Sequence, residues 1–198
     1  MIKFFCRYPY AVFSLALVLL LSGCAGLKPE INIPKSPPPA PAVKRSPVRV
    51  ALVLGAGGAR GYAHLGALQV LQSAGVPIDL VVGASAGSFV GALYADTGSA
   101  TMAYQHMMAA TFWDLADVSN VPSLSGVIKG YHFERFLLKH MRSRTFKDLK
   151  KTLLVVTTDL LTGNPYLIRS GPIAPAVLAS SAIPGAVQPV RLYGHVLV

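Results

Sequence analysis

Apolar and polar residues follow one another along this chain in blocks whose lengths fit the strands and helices of an α/β domain. Residues 48–54 and 80–82 are apolar runs, interrupted only by Arg49, and such runs are typical of strands buried on both faces of a parallel sheet. Between them, residues 61–74 place apolar side chains at helical spacing, and Gly75 follows at the position of a helix end. The pattern therefore predicts a strand, a helix and a second strand.

The same alternation continues to the last residue. Helices are predicted near residues 87–95, 101–110, 131–142 and 174–181, a strand at 153–157, and a loop with strands over 183–198. The sequence contains no internal repeat. Strands that alternate with helices predict the α/β class with a largely parallel sheet.

The first residues have the pattern of a bacterial secretory signal. Lys3 and Arg7 precede an apolar run over 11–21, which is shorter than the roughly 20 residues that a membrane-spanning helix needs. The run ends in Leu-Ser-Gly-Cys24, a tetrad that resembles the lipobox of bacterial lipoproteins. This resemblance implies cleavage before Cys24 and lipidation of its thiol, and Ala25 after it favours the outer membrane, facing the periplasm. A simple signal anchor is the alternative.

A proline-rich segment separates this signal from the apolar blocks. Residues 28–47 contain seven prolines and four basic residues, a composition that disfavours helices and central strands and is typical of an extended spacer. We therefore expect a signal peptide over 1–23, a lipidated Cys24 with its linker over 24–47, and a globular domain over 48–198. The only cysteines are Cys6 and Cys24, so the domain has no disulfide.

The net charge of the chain limits the classes of molecule that we expect it to bind. The chain has 18 Lys and Arg against 8 Asp and Glu, a net charge of +10. Eight of these basic residues lie between Lys129 and Lys151, where only Glu134 and Asp148 oppose them. Such a surface suits anionic lipid headgroups or phosphates, and its simpler interpretation is a solvated helix face. No recognition motif accompanies the charge, so no nucleic-acid partner is expected.

A candidate nucleophile lies between the second strand and the next helix. The stretch Gly83-Ala84-Ser85-Ala86-Gly87 has the spacing of a nucleophile elbow, in which a tight turn presents a serine at the carboxyl end of a sheet. The helix amino terminus beside Ser85 favours developing negative charge. The alternative is that Ser85 is only a helix N-cap.

A second glycine turn follows the first strand. Its residues Gly55, Gly57, Gly58, Arg60 and Gly61 leave backbone N–H groups accessible, as an oxyanion hole requires. A dinucleotide-binding turn is the competing interpretation, but Arg60 occupies the sixth position, where that motif needs a small residue. No acidic residue follows at the required place either. The oxyanion hypothesis is therefore preferred.

Together the two turns resemble the patatin-like phospholipase family. The resemblance extends to residues 62–66, to 158–163 and to 179–185, and so covers the whole expected domain. It implies a three-layer α/β/α sandwich and hydrolysis of a phospholipid or other acyl ester, without a metal or a cofactor. It also implies that Ser85 is the nucleophile and that Gly57 and Gly58 supply the oxyanion hole, supported by Gly55, Arg60, Gly61, Gly83 and Gly87.

The base that activates Ser85 is not evident. The patatin-like family uses a Ser-Asp dyad whose Asp opens a D-G-G/A motif, and the resemblance places that Asp just after Val198, as in a chain that is incomplete at its C-terminus. Asp159 matches a different, structural position of the family, and we interpret His64 as a packing residue. Two alternatives stay open: a non-catalytic acyl-chain-binding lipoprotein, and an esterase of the α/β-hydrolase plan with a His after its acid.

Overall fold

The computed structural model describes residues 49–115 and 128–198, with the backbone alone at Phe112. The predicted signal peptide, the lipidation site Cys24 and most of the linker lie outside these residues. No helix in the described ranges combines the length and the apolar character that crossing a membrane requires.

A four-stranded sheet forms the centre of the described fold. Strands β1 (Ala51–Leu54), β2 (Leu80–Ala84) and β3 (Thr152–Thr158) are parallel neighbours in that order, and β4 (Pro165–Ile168) pairs antiparallel with β3. The predicted α/β class with a mostly parallel sheet is thereby confirmed. Strand β4 was not predicted.

Helices connect and flank the strands, and each helix predicted from the sequence is present with its ends shifted by no more than two residues. They are α1 (Tyr62–Ser73), α2 (Ala86–Thr97), α3 (Ala100–Met108), α4 (Phe112–Leu115), α5 (Tyr131–His140) and α6 (Ile173–Ser181). The short α4 is the only one of them that the sequence pattern did not indicate.

Helix α2 packs directly on the sheet and is buried from Gly87 to Asp96. Gly91 allows this approach, because a Cβ there would lie 3.0 Å from Cγ1 of Val81 and 3.3 Å from Cδ1 of Leu153. On the opposite face, among the described residues, Val53 and Leu167 remain more than half exposed. The described helices therefore bury one face of the sheet more completely than the other.

A small hairpin completes the described chain. Strand β5 (Val190–Leu192) pairs antiparallel with β6 (His195–Leu197). The two residues between them, Tyr193 and Gly194, have φ angles of 53° and 81°. Positive φ at both central positions is the signature of a type I′ turn, which matches the twist of a two-residue hairpin. Residues 183–198 thus form the loop and strands that the sequence predicted.

Candidate active site

Ser85 is the single residue between the end of β2 and the start of α2. Its backbone has φ 50° and ψ −120°, a conformation that residues with a Cβ rarely adopt. Strain of this kind costs about 1–3 kcal/mol and persists only where the surroundings hold it in place. The half-buried Ser85 therefore occupies the strained strand-to-helix turn that the sequence predicted.

Hydrogen bonds on both sides of Ser85 hold this backbone. Its N–H donates to Oγ of Ser180 at 2.8 Å, and that hydroxyl donates in turn to the carbonyl of Val156 at 2.6 Å. Its carbonyl accepts from the N–H and the Oγ of Ser88. Ser85 occupies the N-cap position of α2, but its side chain makes no capping hydrogen bond. Sequence reasoning missed Ser180, although it lies in the 179–185 stretch quoted for the family resemblance.

The glycines of the elbow are required by close contacts with backbone atoms. A Cβ at Gly83 would lie 2.5 Å from Cα of Ser88. A Cβ at Gly87 would overlap the carbonyl group of Leu54. Backbone cannot move aside as the tip of a side chain can, so both positions exclude larger residues. The contact at Gly87 also fixes the elbow against the end of β1.

The second glycine turn lies beside the first. Its residues Gly58–Gly61 form a 3-10 turn, and Gly58 has a φ of 53°, which favours glycine. A Cβ at Gly61 would lie 2.6 Å from Cβ of Ala86, the residue that follows Ser85. The two turns that the sequence placed 25 or so residues apart therefore pack against each other at the carboxyl end of the sheet.

The backbone of the second turn presents uncommitted donors. Within residues 49–115 and 128–198, no acceptor is hydrogen-bonded to the N–H of Gly57 or of Gly58, and both residues are exposed. The carbonyl of Gly57 accepts from the N–H of Arg60 at 3.0 Å, which closes the turn, while the Arg60 side chain extends into solvent. Free N–H groups beside a serine are what an oxyanion hole needs.

His64 has a more specific contact than the packing role expected from the sequence. Its Nε2 lies 2.9 Å from the carbonyl oxygen of Gly55, at the start of the same glycine turn. A carbonyl only accepts, so this contact requires a proton on Nε2. The imidazole on α1 therefore anchors the turn that carries Gly57 and Gly58. The sequence feature that could have indicated this contact is the position of His64, one helical turn after Arg60 of the glycine turn.

The side chains of Asp159 and His195 are in direct contact, with 2.7 Å between Oδ2 of Asp159 and Nδ1 of His195. The hydrogen bond from His195, followed by one from the N–H of Leu161, holds the pKa of Asp159 below its usual value. Ser85, Asp159 and His195 follow one another in the chain order of an α/β-hydrolase triad, yet in the described structure neither partner is hydrogen-bonded to Ser85. The pair instead ties the turn after β3 to β6.

Strand β6 approaches the elbow along the edge of β3. Val198 exchanges backbone hydrogen bonds of 2.8 and 2.9 Å with Thr158, whereas the N–H of Asp159 donates to Asn164 on the opposite side of β3. Successive residues of a strand bond to opposite neighbours, so β6 lies on the side of β3 that Ala84 occupies through its pairing with Val156. The chain at Val198 is therefore directed toward the Ser85 turn.

A family model described as Patatin-like phospholipase matches residues 52–198. The chain belongs to the patatin-like phospholipase family. The match includes both glycine turns and every strand of the sheet but the first residue of β1.

Curated relatives agree with this family assignment. The patatin-like phospholipase domain-containing protein 6 of Mus musculus is 35% identical over 146 residues, which are 71% of this chain and 11% of the relative. An uncharacterised NTE family protein of Mycobacterium bovis is 34% identical over 165 residues, 80% of this chain and 45% of that protein. The chain thus spans about a tenth of the mouse relative and less than half of the mycobacterial one.

A solved structure shares the fold. The crystal structure of VipD from Legionella pneumophila superimposes with a TM-score of 0.60 at 18% identity, and the match covers 77% of this chain and 46% of VipD. The patatin-like fold that the sequence resemblance implied is therefore shown by structure as well as by sequence.

Proposed function

We propose that this patatin-like protein is a serine-dependent acyl-ester hydrolase that acts on phospholipids or lysophospholipids. The observation that carries the proposal is the contact between the strained Ser85 turn and the glycine turn with free N–H groups at Gly57 and Gly58. Family membership supports the choice of substrate, as does a relative from Aspergillus fumigatus named lysophospholipase, 33% identical over 153 residues.

In the proposed reaction, Oγ of Ser85 attacks the ester carbonyl and transfers its proton to a base. The N–H groups of Gly57 and Gly58 donate to the oxyanion that forms, in a turn held by His64. The leaving alcohol takes the proton from the base, and water then hydrolyses the acyl-enzyme. Removal of one oxyanion donor typically costs about 2.7–4 kcal/mol of transition-state stabilisation.

The proposed base is the Asp that the family resemblance places just after Val198. The course of β6 supports it, because Val198 pairs with Thr158 and leads toward the Ser85 turn. The coding sequence after the Val198 codon tests it directly. Asp-Gly-Gly or Asp-Gly-Ala is expected there, and a sequence without a carboxylate would contradict the dyad.

We also propose that lipidated Cys24 holds the enzyme on the outer membrane, facing the periplasm. The lipobox-like tetrad before Cys24 supports this, and an acyl chain contributes about 0.8 kcal/mol per buried CH₂. Metabolic labelling with an alkyne fatty acid is expected to mark the wild-type protein and to leave the Cys24→Ala variant unmarked. Equal labelling of both would exclude this residue as the site.

A fluorophosphonate probe tests the catalytic assignment, because it reacts only with an activated serine. In the full-length protein we expect labelling that maps to the peptide carrying Ser85. The matched control is Ser73→Ala, an exposed serine at the end of α1, which should label as the wild type does, whereas Ser85→Ala should not label. If the folded wild type fails to react, the acyl-chain-binding lipoprotein becomes the better interpretation.

A further inference from the structure

A cavity lies at the opposite end of α2 from Ser85. Its volume is about 420 Å³, and its wall includes Asp96 and Thr97 at the carboxyl end of that helix. Asp96 follows Ser85 by 11 positions, and a helix rises 1.5 Å per residue, so this cavity is about 17 Å from the Ser85 turn. We call it the basic pocket, after the side chains described next.

Cations dominate the lining of the basic pocket. Lys139, Arg142 and Lys150 contribute three positive charges, from the end of α5, the loop after it and the segment before β3. No carboxylate among the described residues forms an ion pair with any of them. These charges come from the segment whose net charge the sequence had already singled out.

The only carboxylate in the lining is committed to the backbone. Asp96 is 5% exposed, and its two oxygens accept from the N–H groups of Arg142 at 3.0 Å and Ser143 at 2.8 Å. These bonds fix the main chain from which the Arg142 guanidinium projects. The N–H of Lys150 likewise donates to the carbonyl of Ala95 at 2.9 Å. Two of the three cations are therefore attached to rigid backbone.

Two histidines complete the pocket. His106 on α3 and His140 on α5 face each other with 3.3 Å between their Nδ1 atoms, so one ring donates to the other. Burial lowers the pKa of His140, and nearby His106 and Lys139 lower it further, while Asp114 on α4 raises it. His140, whose neutral form is thereby favoured, thus lies beside the three cations.

We propose that the basic pocket binds the phosphate group of a phosphate-bearing ligand. Three cations and an imidazole pair around one cavity match the charge and the donor demand of a phosphate, and the single carboxylate offers no competing free oxygen. Ser85 chemistry plays no part in this argument, so the pocket proposal and the hydrolase proposal can fail separately.

The histidine pair makes the proposed binding pH-dependent. An anion in the pocket favours the protonated form of His140, as Asp114 does. Burial, His106 and Lys139 favour its neutral form. Binding therefore tightens as the pH falls through the histidine range. In water, a unit charge gained at about 4 Å from an anion strengthens binding about fivefold for each unit of charge that the anion carries, so the effect on a dianion is larger.

Calorimetric titration of the full chain with sulfate tests both statements, because sulfate remains a dianion at every pH used. The Cys24→Ser background removes lipidation from all samples. We expect binding at about pH 8 that becomes at least about fivefold tighter at about pH 6. In the double variant H106N/H140N the binding should persist at pH 8 and lose its pH dependence. Unchanged pH dependence in that variant would overturn the role of the pair.

Two charge-matched double variants distinguish sulfate binding in the pocket from general electrostatic attraction to the basic segment. R142E/K150E changes two lining residues, and R135E/K147E makes the same change in net charge at exposed positions of the same segment that do not line the pocket. Sulfate binding should be lost in the first and retained in the second. Equal loss in both, or no binding by the folded wild type, would overturn the proposal. Thermal melting checks that each variant folds.

Two further arms identify where the phosphate comes from. Glycerol phosphate represents a soluble ligand, and vesicles of phosphatidylcholine with equal phosphatidylglycerol represent a lipid headgroup, with pure phosphatidylcholine as the control. Binding of either probe that is lost in R142E/K150E and kept in R135E/K147E supports the site and names the source. Binding of both probes that is indifferent to R142E/K150E contradicts it.

Discussion

At its amino end α2 meets Ser85 and two glycine turns, whereas at its carboxyl end it meets Asp96 and the basic pocket. The first end is built from backbone: a strained φ at Ser85, free N–H groups, and contacts at Gly87 that leave no room for a Cβ. The second end is built from charged side chains around a cavity. We therefore expect the first end to be sensitive to the addition of a single carbon atom, and the second end to be sensitive to a change in side-chain charge.

The largest effect on stability is expected at Gly87. Alanine there would press a methyl group against the carbonyl of Leu54, and we expect a loss of about 3 kcal/mol in the free energy of unfolding together with loss of turnover. The matched control is Gly66→Ala in the middle of α1, where nothing lies within 4 Å and alanine should stabilise the helix by about 0.5–1 kcal/mol. Denaturant unfolding measures both. A Gly87→Ala protein as stable as the wild type would refute the backbone-built description.

His64 should affect rate more than stability. Without its hydrogen bond to Gly55 the turn that carries Gly57 and Gly58 shifts, and if this turn holds the oxyanion as proposed, a shift of about 1 Å costs up to about a hundredfold in rate. We expect kcat of His64→Ala to fall between about tenfold and a hundredfold with a smaller change in KM, and His64→Gln, whose Nε2 can donate, to recover part of it. A kcat that stays at the wild-type value in His64→Ala would show that His64 contributes only to packing.

Asp96 tests the other end of the helix. In Asp96→Asn the amide NH₂ faces one of the two N–H donors that the carboxylate accepted, so a buried donor is left unpaired. The expected loss is about 1–2 kcal/mol in unfolding free energy, with weaker sulfate binding because the backbone at Arg142 is released. Wild-type stability and wild-type sulfate affinity in this variant would show that Asp96 does not organise the pocket.

The smallest effect concerns acid stability. The pKa of Asp159 is lowered in the folded protein, first by its bond to His195, so the ionised carboxylate stabilises the fold above its ordinary pKa of 3.8. That contribution is lost as the pH falls from about 4 through the lowered value. Asp159→Asn should therefore melt at a lower temperature than the wild type near neutral pH, and the difference should shrink in acid. If the difference in melting temperature does not change with pH, the effect of Asp159 arises from packing and not from its charge.

Residue pattern alone predicted the parts of this fold that depend on local sequence. The strand–turn–helix order and the two glycine turns follow from spacing, because Gly83, Gly87 and Gly61 stand where backbone atoms come within contact of each other. Strand β4 was missed because it has only four residues, begins with Pro165 and follows a stretch of turn-forming residues. Its partner β3 supplies the register that the short segment lacks.

Contacts between distant segments were beyond the reach of the pattern. The bond from Ser85 to Ser180 joins residues 95 positions apart, and the contact of His106 with His140 joins two helices 34 positions apart. Neither pair has a spacing signal, since only the folded sheet and helix packing bring the partners together. His64 was assigned to packing for a different reason: its acceptor, only 9 positions away, is a backbone carbonyl, which any sequence would supply.

The central claim is that Ser85 is the nucleophile of a lipid acyl hydrolase. The most direct test is the rate of fatty-acid release from lysophospholipid and phospholipid substrates by the full-length protein and its Ser85→Ala and Ser73→Ala variants. We expect turnover by the wild type and by Ser73→Ala, and a loss of about 10⁴- to 10⁶-fold in Ser85→Ala with unchanged melting temperature. Undiminished turnover by a folded Ser85→Ala protein would contradict the account.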